Sequence, residues 1–243
     1  MPILELRQYT LRPGQRDVLI DLFERELTDS QEALGMRVLG TFRDLDRPDR
    51  FVWLRGFDDM DSRREGLTAF YGGPVWQAHR NAANDTMLDS DNVLLLRDAR
   101  EGSGFVVGRQ PRPQKGSTEI PPGLLVATVY SRADPVGPEL VDFFDRVMRP
   151  ELAAAGVAVR ATYLTETTPN DYPRLPVREN EHTFVWFAAF ADAPAHARSM
   201  KGLAESARWR AVAAELETKL KSPPEVLRLQ PTPRSLLPTR DST

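Results

Sequence analysis

The chain has 243 residues, a length that suits one large domain or two domains of ordinary size. Its 32 basic and 35 acidic residues give a formal net charge of −3, which disfavours a nucleic-acid module because such modules carry a basic excess. The absence of cysteine excludes disulfides, thiolate metal ligands and a cysteine nucleophile. We expect a cytoplasmic protein without membrane partners, since the N-terminal segment has no apolar signal core and no apolar run approaches the ~20 residues of a membrane span.

The most informative feature of the sequence is an internal repeat. Residues 51–57 (FVWLRGF) recur as residues 184–190 (FVWFAAF), at an offset of 133. Nearer the start of each copy the offset is 121, which relates Tyr9 to Tyr130. The difference of 12 residues falls between the second and third strands of the second copy, where residues 167–176 are rich in proline. We interpret this stretch, called the insertion below, as a loop that the first copy lacks.

Each copy predicts the same six elements in chain order. A strand is followed by an amphipathic helix, two strands, a second helix and a short closing strand. The strands are expected at 3–10, 36–42, 51–57 and up to Leu96 in the first copy, and at 124–131, 157–165, 184–190 and up to Leu229 in the second. The order β-α-β-β-α-β is the split βαβ, or ferredoxin-like, unit.

Glycine, proline and capping residues predict where the helices end. Gly35 and Gly156 are natural C-terminal stops, because glycine adopts the left-handed capping conformation at least cost. The spacing of Ser62 and Glu65 predicts a capping box at the start of the second helix of the first copy. Residues 72–74 (GGP) predict a break within that helix.

An antiparallel ferredoxin-like sheet carries helices on one face only, so its other face needs a cover. We therefore expect an α+β fold in which the tandem ferredoxin-like repeats pack their helix-free faces together as a pseudo-dimer, forming one barrel of the dimeric α+β type. The predicted organisation is a first repeat over 1–97, a Pro/Gly-rich linker over 98–123, a second repeat over 124–230 and a C-terminal tail over 231–243. A single chain can complete this barrel, so self-association as a homo-oligomer stays open.

The ELRxYxLxPG pattern of residues 5–14, the FVWLRGF segment, Arg63-Arg64 and Trp76-Gln77 resemble the NIPSNAP family of the dimeric α+β barrel superfamily. The resemblance is good over residues 3–97 and weaker over 124–229. Related barrels include monooxygenases, chlorite-dismutase-like haem proteins and small-molecule isomerases or cyclases. The resemblance therefore implies the barrel fold and leaves the activity open.

Strand alternation places Arg7 and Tyr9 on one face of the first strand, and Trp53 and Arg55 on one face of the third. The opposite faces of both strands are apolar and suit packing against helices. We therefore predict that the mixed face lines the lumen, the space enclosed by the barrel, and forms a pocket there. Arginine and aromatic side chains suit an aromatic or polyketide-like small molecule with an anionic or carbonyl oxygen.

Other residues are candidates for the same pocket. Three positions of the second copy are expected to help bind the ligand: Thr128, Tyr130 and Trp186. His79, on the helix after the GGP break, is a candidate general base because the pKa of histidine lies near neutrality. Tyr9 is the alternative group to move a proton, and Arg55 would stabilise developing negative charge.

Structural roles compete with each of these assignments. In that interpretation the aromatic residues fill the core, Glu5 pairs with Arg7 or Arg55, and Arg63-Arg64 form a solvated helix face. The competing functions are a cofactor-independent oxygenase, cyclase or isomerase and a non-catalytic binding or assembly protein with a filled lumen, with haem binding through His196 as a third. No metal-ligand, nucleotide-binding or hydrolase motif is present, so we expect no metal and no obligatory cofactor. Whether the protein is an enzyme stays open.

Overall fold

The computed structural model describes residues 1–106 and 111–237. The strands of the first repeat are β1 (Ile3–Leu11), β2 (Arg37–Asp44), β3 (Arg50–Phe57), β4 (Met87–Asp89) and β5 (Val93–Asp98). Its helices are α1 (Arg16–Leu22), α2 (Thr28–Glu32), α3 (Met60–Gly72) and α4 (Pro74–Thr86). A π-helical turn (Phe23–Leu27) joins α1 to α2.

The second repeat follows the same plan. Its strands are β6 (Leu124–Ser131), β7 (Ala158–Thr165), β8 (Thr183–Phe190) and β9 (Glu225–Pro231). Its helices are α5 (Pro138–Phe143), α6 (Arg149–Ala154), α7 (Ala193–Glu205) and α8 (Ala207–Glu217), and a π-helical turn (Phe144–Met148) joins α5 to α6. The predicted βαββαβ order is therefore present twice.

The strands close into one antiparallel barrel. The order is β3-β2-β9-β6-β8-β7-β5-β1, and β1 pairs back with β3, while the short β4 extends one end of β1. Two pairings join the repeats: β2 meets β9 with Phe42 opposite Pro231, and β5 meets β7 with Leu96 opposite Thr165. The predicted α+β barrel of two tandem repeats is confirmed.

Apolar side chains from both repeats fill the lumen. Leu6 and Leu54 of the first repeat pack there with Val185 and Phe187 of the second. Phe105, from the segment between the repeats, lies at one end with its ring centroid 4.9 Å from that of Phe187. The lumen is therefore a packed core. A filled lumen is what the alternative of a non-catalytic binding or assembly protein expects.

The prediction that the mixed face of β1 and β3 lines the lumen is wrong. Tyr9 and Trp53 pack against Phe23 and other residues of the helices of the first repeat, in a cluster separate from the lumen. Arg7 and Arg55 alternate with the lumen residues along their strands. They therefore lie on the side that faces the helices, together with Tyr9 and Trp53. Strand alternation identifies which residues share a side, but it does not say which side faces inward. The all-apolar face is inside because the lumen is closed to solvent.

Helix ends agree with the prediction except at α3. Gly35 and Gly156 have φ of +81° and +77°, in the left-handed region where glycine is favoured. The helix is interrupted at Gly73, between α3 and α4, as the GGP sequence predicts. The N-cap of α3 is Asp59, and its partner in the capping box is Ser62, so the box begins three residues earlier than predicted.

The segments outside the repeats are irregular in the described residues but are not detached. Glu24 of the π-helical turn accepts hydrogen bonds from the Thr232 hydroxyl and from the backbone N–H of Arg234, at 2.9 Å for the latter. Arg112 of the linker bonds Glu32 and the backbone oxygen of Arg234. Residues 107–110 of the predicted linker and 238–243 of the predicted tail lie outside the described residues. Within the described ranges, no helix combines the length and apolar character needed to cross a bilayer.

A packed lumen makes large-to-small substitutions there costly. Phe187→Ala should lower the free energy of unfolding by about 3–5 kcal/mol, because it removes a fully buried ring and leaves a cavity. Urea unfolding followed by circular dichroism measures this change. Val18→Ala, at a position 52% exposed on α1, is the control and should stay within about 0.5 kcal/mol of wild type. A loss below about 1 kcal/mol for Phe187→Ala would contradict the packed lumen.

Candidate functional site

One buried carboxylate gathers three arginines between the sheet and the helices of the first repeat. The Glu5 Oε2 atom accepts hydrogen bonds from Arg7 Nη1 at 2.9 Å and from Arg55 Nη2 at 2.6 Å. The Glu5 Oε1 atom accepts from Arg63 Nε at 2.8 Å. All four side chains have no solvent exposure. We call these four residues the Glu5 cluster.

The chain positions this cluster by strand register and helical spacing. Glu5 lies directly opposite Arg55 across β1 and β3, and Arg7 lies directly opposite Trp53. Arg63 is on α3, and its spacing of four residues from the buried Leu67 turns it toward the sheet. The prediction that Arg63 lies on a solvated helix face is therefore wrong. The apolar residues that follow Arg63 at helical spacing are the pattern that could have predicted its burial.

The electrostatics of the cluster keep Glu5 ionised. Burial by itself would raise the pKa of Glu5, but the charges of Arg55, Arg7 and Arg63 outweigh burial and hold this pKa well below its usual value of 4.5. One carboxylate faces three guanidinium groups, so the cluster keeps an excess of positive charge. Part of that excess is met by Asp171, whose Oδ1 atom lies 2.8 Å from Arg63 Nη1.

Tyr9 connects the Glu5 cluster to a group of aromatic side chains. Arg7 Nε donates a hydrogen bond of 3.0 Å to the Tyr9 hydroxyl oxygen, and the Arg7 guanidinium carbon lies 5.4 Å from the ring centroids of both Tyr9 and Trp53. Burial raises the pKa of Tyr9, so its hydroxyl is neutral near pH 7. Its oxygen accepts from Arg7, and within the described residues nothing accepts its proton.

A cleft of about 460 Å³ opens beside Tyr9. Its aromatic walls are Tyr71 at the end of α3, Trp76 on α4 and Tyr172 from the second repeat. A smaller space of about 30 Å³, here called the inner chamber, shares Tyr9, Tyr71 and Trp76 with the cleft and reaches Trp53. The cleft volume is within the usual range for sites that bind small molecules.

The insertion of the second repeat forms one wall of this cleft. Its Tyr172 ring stacks on Tyr71, with ring centroids 6.0 Å apart and planes at 24°. Asn170 Oδ1 accepts a hydrogen bond of 3.0 Å from Arg63 Nη1, the same atom that Asp171 contacts. Backbone bonds between Glu166 and Leu95 and between Arg178 and Val93 hold both ends of the loop against β5. The cleft of the first repeat is therefore completed by residues of the second.

Comparison with known families identifies the part of the chain that carries this cluster. The family model described as NIPSNAP matches residues 4–98. We call this matched stretch the NIPSNAP domain. The match spans Glu5, Arg7, Tyr9, Arg55 and Arg63, so the whole Glu5 cluster and the floor of the cleft lie inside the NIPSNAP domain. No curated protein matches the sequence.

Solved structures share the fold over nearly the whole chain. A proposed monooxygenase from Lactobacillus acidophilus NCFM aligns with a TM-score of 0.55 and 12% identity over 96% of this chain and 97% of its own. A proposed monooxygenase from Fusobacterium nucleatum subsp. nucleatum aligns with a TM-score of 0.55 and 11% identity over 95% and 92%. An anthrone oxidase-like protein aligns with a TM-score of 0.52 and 12% identity over 95% and 91%. At these identities the likeness establishes the barrel fold beyond the NIPSNAP domain.

The second repeat has no counterpart of the charged cluster. The repeat offsets relate Glu5 and Arg7 to Val126 and Thr128, and the strand register is the same in both repeats. Arg55 corresponds to Ala188, which is buried in an apolar cluster. The second repeat therefore keeps the aromatic and aliphatic part of the plan but not the ionic part.

The expectation of one pocket shared by both repeats is wrong. Tyr130 and Trp186 pack in the apolar cluster between the second sheet and its own helices, on the other side of the lumen from the NIPSNAP domain. Thr128 lies directly opposite Trp186 on that same face. None of these three residues lines the cleft. These positions do correspond to those of the first repeat, but the two equivalent faces of a pseudo-dimer point away from each other.

The histidines lie apart from the cleft. His79 is on α4 of the NIPSNAP domain, but its Nε2 atom faces Glu26 Oε2 at 3.9 Å, and it lines neither the cleft nor the inner chamber. The His196 ring packs edge-on against Phe190 at 4.9 Å, which is a core contact of the second repeat. In the part of the chain that the structure describes, no group of three or more acidic or histidine residues is arranged to hold a metal ion.

Several cleft residues were not predicted as site residues. The sequence pattern does not single out Tyr71, and it offers Trp76 only as part of the family resemblance. Tyr172 falls in the insertion, which the sequence predicts to be a loop, and its contact with the NIPSNAP domain crosses between repeats. A loop contact of that kind has no periodicity, so the local sequence pattern gave no signal for it.

The Glu5 cluster makes a prediction about stability. Glu5→Gln should lower the free energy of unfolding at pH 7 by about 3–5 kcal/mol, because it leaves buried arginines without their shared carboxylate. The folded pKa of Glu5 lies below the unfolded value of 4.5, so the ionic contribution is present above that pH and is lost as the pH falls toward the folded pKa. The difference between wild type and variant should therefore shrink in acid. Urea unfolding across a pH series measures it.

Glu65→Gln is the matched control, since Glu65 is exposed on the same helix as Arg63. Its stability should stay within about 0.5 kcal/mol of wild type at each pH. A Glu5→Gln variant as stable as this control at pH 7 would show that the carboxylate does not hold the arginines together.

Proposed function

We propose that the protein binds an aromatic small molecule with a hydrogen-bond-accepting oxygen in the cleft of the NIPSNAP domain. The observation that carries this proposal is the combination of aromatic walls with a buried hydroxyl proton that has no acceptor. Tyr71, Trp76 and Tyr172 line the cleft, and aromatic side chains favour aromatic ligands. Tyr9 lies at the inner end and can donate its proton to a ligand oxygen.

Unpartnered donors near the inner chamber support an anionic or carbonyl oxygen on the ligand. Trp53 Nε1 and Arg7 Nη2 are buried and have no hydrogen-bond partner within the described residues. A buried donor without a partner costs free energy, so such donors commonly meet a ligand or a bound water. Trp53 lines the inner chamber, whose size of about 30 Å³ suits one water molecule or one oxygen-bearing group.

The chemistry that this arrangement supports is proton donation without a cofactor. Arg7 donates to the Tyr9 oxygen, so Tyr9 can pass its proton to a bound carbonyl oxygen while solvent water removes a proton from the neighbouring carbon and returns it to Tyr9, which gives the enol. Enolisation is a step that isomerases, cyclases and cofactor-independent oxygenases have in common. We therefore place the protein among small-molecule tailoring enzymes, with Arg55 acting through the Glu5 cluster to hold Arg7 in position.

The competing function is a non-catalytic binding or assembly protein, and the packed lumen is the observation that favours it. This function needs the barrel as a scaffold and makes no demand on Tyr9. Haem binding is the third alternative, for which His196 would have to leave its contact with Phe190.

Ligand binding is tested by isothermal titration calorimetry with 1-naphthol and anthrone. Wild-type protein should bind at least one of them, and Tyr9→Phe should weaken that binding about 5–10-fold, the loss expected for one neutral hydrogen bond. Tyr130→Phe removes the equivalent hydroxyl from the second repeat and should leave affinity unchanged. Equal effects of the two substitutions would contradict a site in the first repeat, and no binding of either compound would contradict an aromatic ligand of this size.

Catalysis is tested separately from binding by hydrogen–deuterium exchange. In D₂O the wild-type protein should accelerate exchange of the methylene hydrogens of anthrone, measured by proton NMR, because these hydrogens are lost on enolisation. Tyr9→Phe should lower the accelerated rate by about 100-fold, the lower end of the usual contribution of a general acid. Binding of anthrone without faster exchange would favour the non-catalytic function.

A further inference from the structure

Two arginines from different repeats line the cleft. Arg80 comes from α4 of the first repeat, and Arg174 comes from the insertion of the second repeat. Both side chains are exposed, and neither has a hydrogen-bond or ion-pair partner within the described residues. Neighbouring arginines differ in this respect, since Arg63 pairs with Asp171 and Arg178 pairs with Glu181. The two cleft arginines therefore have no structural contact that explains their position.

The charges around the cleft do not cancel. Asp91 is the acidic residue among those that line it, and its carboxylate lies within 4 Å of neither arginine. Arg80 and Arg174 carry two positive charges against this single negative charge, so the lining has a net formal charge of +1. The Glu5 cluster behind Tyr9 adds further positive charge. An anion entering the cleft therefore meets a favourable potential both from the residues that line it and from the Glu5 cluster behind Tyr9.

The insertion supplies both an aromatic ring and a cation to the same wall. Tyr172 stacks on Tyr71, and Arg174 follows two residues later on the same loop. A ligand whose ring lies against these tyrosines would bring a substituent on its outer edge within reach of Arg174. Arginine binds carboxylates through paired N–H donors, which suits a planar acid group attached to a ring.

We propose that Arg80 and Arg174 select aromatic carboxylic acids as the ligands of this cleft, with the carboxylate held at the outer end by both guanidinium groups. This inference rests on the proposed function, because it assumes that an aromatic ring occupies the cleft. It adds a substrate class and assigns part of the specificity to a loop from the second repeat.

The test compares two probes that share one ring system: 2-naphthoate, which is ionised at neutral pH, and the neutral 2-naphthamide. Dissociation constants are measured by isothermal titration calorimetry for wild type, Arg174→Gln, Arg80→Gln and the double variant. Wild type should bind the acid about tenfold more tightly than the amide, and the double variant should bind the two about equally. Each single variant should show an intermediate preference.

Arg146→Gln is the control, because Arg146 is exposed and without a partner in the described residues but lies on the π-helical turn of the second repeat and does not line the cleft. It removes the same charge from the chain and should keep the wild-type preference. Added salt should weaken binding of the acid and leave binding of the amide unchanged.

The outcomes separate this inference from the proposed function. Binding of both probes to wild type with equal affinity, or an unchanged preference in the double variant, overturns the selection of acids and leaves an aromatic cleft. A preference lost equally in Arg146→Gln assigns the effect to net charge and also overturns it. Failure of wild type to bind either probe overturns the aromatic cleft and the inference together.

Discussion

The attraction between the Glu5 carboxylate and three guanidinium groups links parts of the molecule that are far apart in the sequence. Arg7 shares its strand, Arg55 lies on the neighbouring strand, and Arg63 comes from α3. Arg63 also reaches Asp171 in the second repeat. The positions of Tyr9, of α3 and of the insertion around the cleft all depend on this one carboxylate. A buried charge is costly unless it is paired, so the set is stable only when it is complete.

The two repeats use one backbone plan for different purposes. Both contribute apolar side chains to the packed lumen, and both place an aromatic cluster between sheet and helices. In the second repeat, aliphatic residues such as Val126 and Ala188 replace the ionic partners, which leaves a dry hydrophobic core. The longer loop of the second repeat instead packs against the first repeat. One repeat thus carries the candidate site, and the other completes the barrel and supplies a wall.

Much of the fold could be predicted from the sequence, because duplicated segments such as 51–57 and 184–190 give the strand order twice. The candidate residues Arg7, Tyr9, Trp53 and Arg55 do lie together, since strand alternation and pairing are local properties. The direction in which they face could not be predicted, because strand alternation does not tell which face of the sheet lines the lumen and which faces the helices. The roles of Arg63 and Tyr172 depend on helix docking and on a contact between repeats, which are tertiary properties.

The insertion has a consequence for how such a barrel can diversify. In a barrel built from two identical chains, a mutation appears in both subunits, so any change of a loop alters both clefts at once. Here the two halves are encoded separately, and a change at Tyr172 or Arg174 modifies a single cleft while every strand pairing of the barrel is retained. Fusion of the halves therefore frees one loop to vary with the chemistry of the ligand, without a matching change in its twin.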